Sequence, residues 1–186
     1  MRITKEPEER KQEILDTAMR IFYEKGYERT SITDIARAIG VAQGLCYRYF
    51  PSKEALFDSA VEQYAEKLVS RFAILPETEG RTLKELIETM PLTAETEGDG
   101  YYQTFHTAEN KKFHDQLTLK VCQKLSGIVA ELLEQAKERG EIHLEDVQTA
   151  ASFCVYGQIG ILLEEGMTPE EKERRIRGFL LYVLRL

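Results

Sequence analysis

Three observations predict an all-α chain. Glu, Lys, Leu, Ile and Ala dominate, while alternating runs of β-branched residues are missing. Only five prolines occur, most of them at candidate helix borders. Apolar residues recur at helical spacing in one segment after another. The expected architecture is an N-terminal three-helix domain, residues 1–53, followed by a larger helical domain, residues 54–186, with about nine helices in all.

The first helix is expected from Pro7 to about Lys25. Pro7 opens it, Glu8 and Glu9 lie near its positive dipole end, and Gly26 stops it. Ile14, Leu15, Ala18, Ile21 and Phe22 form its buried stripe, and Tyr27 is expected to fold back against that stripe. Ser31 with Asp34 is a capping-box signature for a second helix carrying Ile32, Ile35, Ala36 and Ile39. Gly40 supplies the positive φ of a sharp turn. A third short helix, roughly Gln43 to Phe50, turns Cys46 and Phe50 inward and Gln43, Leu45, Tyr47, Arg48 and Tyr49 mostly outward. Two short helices joined by a tight turn form a helix-turn-helix, whose second helix enters the major groove of DNA.

That outward set favours DNA on chemical grounds. No acid occurs between Ile35 and Ser52. Phosphate oxygens repel carboxylates, accept hydrogen bonds from tyrosine hydroxyls and pair with arginine. Gln43 can read a base edge and Leu45 can touch a thymine methyl, while Gly44 lets the backbone approach closely. Ser52 is a natural N-cap for the next helix, whose first-turn N–H groups and Lys53 can meet a phosphate. We assign Thr33, Gln43, Leu45 and Tyr47 to bases or sugars, and Arg48, Tyr49 and Lys53 to phosphates. Arg2, Lys5, Arg10 and Lys11 suit weak phosphate contacts or a solvated face equally well.

The motif set resembles the DNA-binding domain of the TetR family of bacterial transcriptional regulators. The matching residues are Gly26-Tyr27, Thr30-Ser31, Ile35-Ala36, Gly40-Val41, Gly44, Tyr47, Tyr49-Phe50 and Ser52-Lys53-Glu54, with no gap required. The resemblance covers roughly Glu9 to Phe57. Cys46 departs from the usual Leu or Ile, and Leu45 from the usual small or hydroxylated residue. The resemblance implies a homodimeric regulator, most often a repressor, with an effector-binding and dimerisation domain after the helix-turn-helix.

Beyond Lys53 the helix is expected to run to about Ile74, leaving the DNA-binding domain. A short helix at Thr82–Thr89, a polar loop at 91–100 and a brief aromatic helix at 101–106 follow. A long helix is expected at about Asn110–Arg139 and another at about Glu145–Glu165. Thr168-Pro169-Glu170-Glu171 then starts the last helix with a capping box. The last two long helices are apolar on more than one side, and Gly157 and Gly160 permit close approach. They are expected to join two copies through residues 145–186. Tyr101, Tyr102, Phe105, His106, Phe113 and Tyr156 are candidates to line an effector pocket, although their spacing is also what a plain core shows and favours that reading for each.

Charge is distributed unevenly. The net charge is −7, yet residues 1–53 hold ten Lys+Arg against eight Asp+Glu. The DNA-reading end is therefore slightly basic and the remainder acidic. Three scattered cysteines argue against a disulfide framework. No leader and no membrane-length apolar run is present, which predicts a cytoplasmic protein. No catalytic constellation and no metal-ligand spacing stands out, so neither an enzyme nor a cofactor is expected. The partners expected are double-stranded DNA, a second copy of the chain and a small-molecule effector. The alternative is a helical protein-interaction module that has lost specific DNA binding.

Overall fold

The computed structural model describes residues 5–73, 80–90, 111–164 and 166–186, apart from the side chains of 71–73 and 111. Every secondary-structure element among them is a helix: α1 Pro7–Lys25, α2 Ile32–Ala38, α3 Gln43–Tyr49, α4 Lys53–Ala73, α5 Leu83–Thr89, α6 Lys111–Glu138, α7 Val147–Tyr156, α8 Ile159–Leu162 and α9 Pro169–Leu184. Among the described residues no helix is long and apolar enough to cross a membrane. The chain divides into two compact units, 1–66 with 98–120 and 67–97 with 121–186.

In the first unit, α2 packs on both α1 and α3. The stripe on α1 is buried as its spacing requires, with Ile14, Ala18 and Phe22 fully so. Tyr27 does fold back, its ring 5.7 Å from that of Phe22. Phe57 of α4 meets Phe22, Tyr27 and Phe113 at centroid distances of 5.1, 4.6 and 5.8 Å. Phe113 thus brings the first turn of α6 into this core. Gln12 of α1 and Gln63 of α4 exchange two amide hydrogen bonds, 2.9 and 2.7 Å. Lys120 of α6 pairs with Glu62 of α4 at 2.8 Å. Packing therefore groups more of the chain with the helix-turn-helix than a boundary at residue 53 would.

In the second unit, α5, α6, α7 and α9 share a core that includes Leu83, Leu133, Ala151, Ile176, Leu180 and Leu184. Arg177 of α9 donates to the carbonyls of Ile87 and Met90 at the end of α5, satisfying acceptors that a helix C-terminus leaves open. At the other end of α5, Thr82 and Glu85 form a capping box, and the Leu83 N–H donates to the Glu141 carboxylate at 2.5 Å.

Two expectations for this region need correction. The helix foreseen at about Glu145–Glu165 starts only at Val147, after the N-cap Asp146, and is interrupted after Tyr156. There the Gln158 side chain donates to the Cys154 carbonyl at 2.5 Å, occupying an acceptor on which a continuous helix would draw. A Cβ at Gly157 would fall 2.6 Å from the Phe153 carbonyl oxygen, so this turn requires glycine. The second correction concerns the last helix. Thr168 accepts from the Glu171 N–H at 3.3 Å, but the Glu171 carboxylate turns to Arg174 and Arg175 instead of closing a box.

Glu141 provides a pH test of this packing. Partial burial raises its carboxyl pKa, but the Leu83 N–H and the Arg139 guanidinium outweigh burial and hold it below its ordinary value. A folded-state pKa below the unfolded one favours folding above the unfolded value near 4.5, and the contribution fades as pH falls through the folded pKa. Glu141→Gln is expected to lower stability by about 1–2 kcal/mol at neutral pH. In urea titrations repeated across pH, the gap to the parent protein should close as pH drops below about 4.5.

Candidate nucleic-acid interface

The local sequence builds the helix-turn-helix step by step. Thr30, buried, donates its hydroxyl to the Gly26 carbonyl at 2.8 Å and ties the end of α1 to the next segment. Ser31 caps α2 reciprocally: its Oγ accepts from the Asp34 N–H at 3.2 Å, and Asp34 accepts from the Ser31 N–H at 3.1 Å. The Ser31 hydroxyl, then its N–H, hold the Asp34 carboxyl below its ordinary range. Arg37 bridges to the same carboxylate at 3.3 Å. Gly40 has φ of 71°, and the Val41 N–H closes the turn onto the Ala36 carbonyl at 2.9 Å.

α3 divides as its spacing requires. Cys46 and Phe50 are buried. Gln43, Gly44, Tyr47 and Arg48 are exposed, and Leu45 and Tyr49 are half-buried. Tyr47 keeps 45% of its surface open, unusual for an aromatic on so short a helix. No hydrogen bond or ion pair among the described residues engages Gln43, Tyr47 or Arg48, so their polar atoms are available to a partner. Thr33 is exposed on α2. The Ser52 hydroxyl accepts from the Ala55 N–H at 3.0 Å, which caps the start of α4. Thr33, Gln43, Gly44, Tyr47 and Arg48 are thus all exposed residues of one small motif.

Beside the start of α4 lies a cluster that sequence reasoning missed. The Tyr27 hydroxyl donates to Glu54 at 2.6 Å. Burial and the Glu54 carboxylate push the Tyr27 phenol above its ordinary value, so it remains a donor. The Tyr27 hydrogen bond in turn leads the causes that hold the Glu54 carboxyl down. The Lys53 ammonium lies 4.0 Å from the Tyr27 ring centroid and that of Lys112 lies 3.8 Å away. Lys53 is half-buried.

Of the basic residues near the N-terminus, Lys5 and Arg10 both pair with Glu13, and Lys11 is exposed. Tyr101, Tyr102, Phe105 and His106 lie outside the described residues, as does Arg2. Phe113 is in the core of the first unit, while Tyr156 is partly exposed on α7 in the second. Cys46 is fully buried, and burial raises its thiol pKa, so it packs as a small hydrophobe.

A capped helix, a glycine turn and an exposed, acid-free second helix define a helix-turn-helix DNA-binding protein. The comparisons agree. Residues 14–60 match the family model for bacterial regulatory proteins, tetR family. Salmonella enterica GusR has a similar structure, with a TM-score of 0.69 and 25% identity over 98% of both chains. Among curated relatives, the uncharacterized HTH-type transcriptional regulator YuxN of Bacillus subtilis is 41% identical over 34% of this chain and 22% of its own length. The nucleoid occlusion factor SlmA of Mannheimia succiniciproducens is 32% identical over 45% of this chain and 39% of its own. The chain thus spans well under half the length of those two. SlmA of Actinobacillus pleuropneumoniae is 27% identical over 81% of this chain and 78% of its own. Residues 14–60 thus carry the DNA-binding domain of the tetR family of bacterial regulatory proteins.

All three cysteines are buried, and burial raises the thiol pKa of each. An aromatic disulfide reagent at pH 8 should therefore label the folded protein at least about tenfold more slowly than the urea-unfolded chain. A fast single-thiol phase in the folded protein would contradict this packing.

Proposed function

We propose that this protein is a ligand-responsive transcriptional repressor that acts in the cytoplasm as a homodimer. The DNA-binding domain is residues 1–53, and residues 54–186 bind the effector and the second copy. The observation that carries the reading is the exposed face of α3, where Gln43, Tyr47 and Arg48 stand without internal partners or acidic neighbours. Thr33, Gln43, Leu45 and Tyr47 face bases or sugars; Arg48, Tyr49 and Lys53 hold phosphates; Gly44 admits the backbone.

The dimer is supported by apolar surface on the last helices. Phe153 keeps 76% of its surface exposed, Phe179 60% and Tyr182 81%. Phe179, Tyr182 and Val183 follow i, i+3, i+4 spacing, so they line one stripe of α9, while Ile176, Leu180 and Leu184 are buried. An exposed stripe of this kind fits a self-complementary contact about a two-fold axis. Two copies then present recognition helices about 34 Å apart, matched to an inverted repeat. A small molecule that binds better to a conformation with altered spacing releases the operator. The pocket for that molecule falls to the aromatic set that begins at Tyr101.

Selection of random duplex DNA on the purified protein at near-physiological salt tests this. An inverted repeat supports the dimeric reader. Failure to enrich any sequence, with the fold intact, supports the protein-interaction module instead. The SlmA similarity, which reaches beyond the helix-turn-helix, favours a second reading in which DNA binding serves an output other than transcription. Genomic sites lying outside promoters would support that one.

Two substitutions separate reading from folding. Tyr47→Ala should lose about 1–3 kcal/mol of specific binding, roughly 5–150-fold, with unfolding unchanged. Gly44→Ala meets nothing within 4 Å of the added Cβ. It should stabilise α3 by up to about 1 kcal/mol yet weaken operator binding. Titrations with labelled operator and thermal melts measure both.

A further inference from the structure

We propose that Lys112 is part of the DNA-binding site, a phosphate-facing cation supplied by α6 and not by the helix-turn-helix. The proposal rests on the reading that this chain binds duplex DNA through α3 and the Lys53 corner. Lys112 lies 59 positions beyond Lys53, yet both ammoniums sit within 4.0 Å of the Tyr27 ring centroid. They are therefore within about 8 Å of each other, one Debye length at physiological salt. Two like charges this close repel unless an anion offsets them. The carboxylate in contact is Glu54, which the Tyr27 hydroxyl already engages, and Glu28 and Asp58 act on Tyr27 from further away. Lys112 offsets carboxylate charge that would otherwise oppose a phosphate at the end of α4 assigned to the phosphate backbone.

The arrangement also answers an objection. A carboxylate directly after Lys53 would weaken any phosphate contact there. With Lys112 beside it, Glu54 is offset by a cation other than Lys53. The Tyr27 ring, buried at 5% exposure, gives both ammoniums a fixed platform through its π face. Phe113 on Phe57 and Lys120 on Glu62 hold the first turns of α6 on α4 and so keep Lys112 in place. Lys112 is itself exposed, so a phosphate can reach it.

The test compares the parent protein, Lys112→Gln and Lys112→Arg on the selected operator and on a random duplex, between 50 and 200 mM KCl. A phosphate-facing cation predicts that Lys112→Gln weakens both duplexes by the same factor and lowers the log–log salt slope by about one. Its deficit relative to the parent should then shrink about fourfold across that salt range. Lys112→Arg keeps the charge and should retain the parent slope. If Lys112→Gln binds like the parent with the same slope, the inference fails while the DNA-reading function stands. If both variants lose affinity with the slope unchanged, Lys112 serves packing only and the inference fails again. If the parent protein shows no preference for any duplex, the DNA-reading function fails and takes this inference with it.

Discussion

The packing of Phe57 is the contact on which the DNA-binding half depends. It is 1% exposed and touches one aromatic from α1, one from the α1–α2 link and one from α6. Edge-to-face and tilted pairs of this kind each contribute about 0.5–1.5 kcal/mol beyond the burial of area. The consequence is positional as much as energetic. Phe57 lies one turn into α4, so fixing its ring fixes the Ser52–Lys53 end of that helix. Only residues 50–52 separate α3 from α4, and Phe50 is itself buried. The recognition helix is therefore held by its packing on α2 and by the burial of Phe50 where the chain turns into α4.

Around that anchor, three acids of the reading unit are engaged internally. Asp34 is held by the Ser31 cap and Arg37, Glu54 by the Tyr27 hydroxyl, and Glu13 by Lys5 and Arg10. Each of these carboxyls is held below its ordinary range, with a side-chain hydrogen bond as the leading cause. These acids therefore remain ionised at neutral pH, but their charge is offset by nearby donors. Arg48, the one basic residue of α3, has no ion pair among the described residues. A chain of net charge −7 can thus present a locally favourable surface to a polyanion, because field at short range follows local arrangement and not the total.

What was legible in the sequence follows the range of the interactions. The Ser31–Asp34 cap, the Gly40 turn and the inward Cys46 and Phe50 depend on neighbours within about four positions, and periodicity and capping rules describe those directly. The all-round apolar character of the last helices was also readable, and it appears as exposed Phe153, Phe179 and Tyr182. The interruption after Tyr156 was not readable, because it depends on one amide choosing the Cys154 carbonyl over solvent. The unclosed box at Thr168 was missed for a similar reason: Arg174 and Arg175 compete for the Glu171 carboxylate, and charge-assisted bonds outbid a backbone N–H. Phe113 has the spacing of a stripe residue, and nothing local reveals that its partner is Phe57.

The Tyr27 corner shows the limit most clearly. Tyr27 was placed correctly on the α1 stripe from its position after Gly26. Its hydroxyl, however, reaches Glu54 and its ring holds Lys53 and Lys112, contacts spanning 26 to 85 positions. No cap or period links residue 27 to residues 54 and 112, so no local rule registers the cluster. Only the fold brings the aromatic ring, the acid and both ammoniums together.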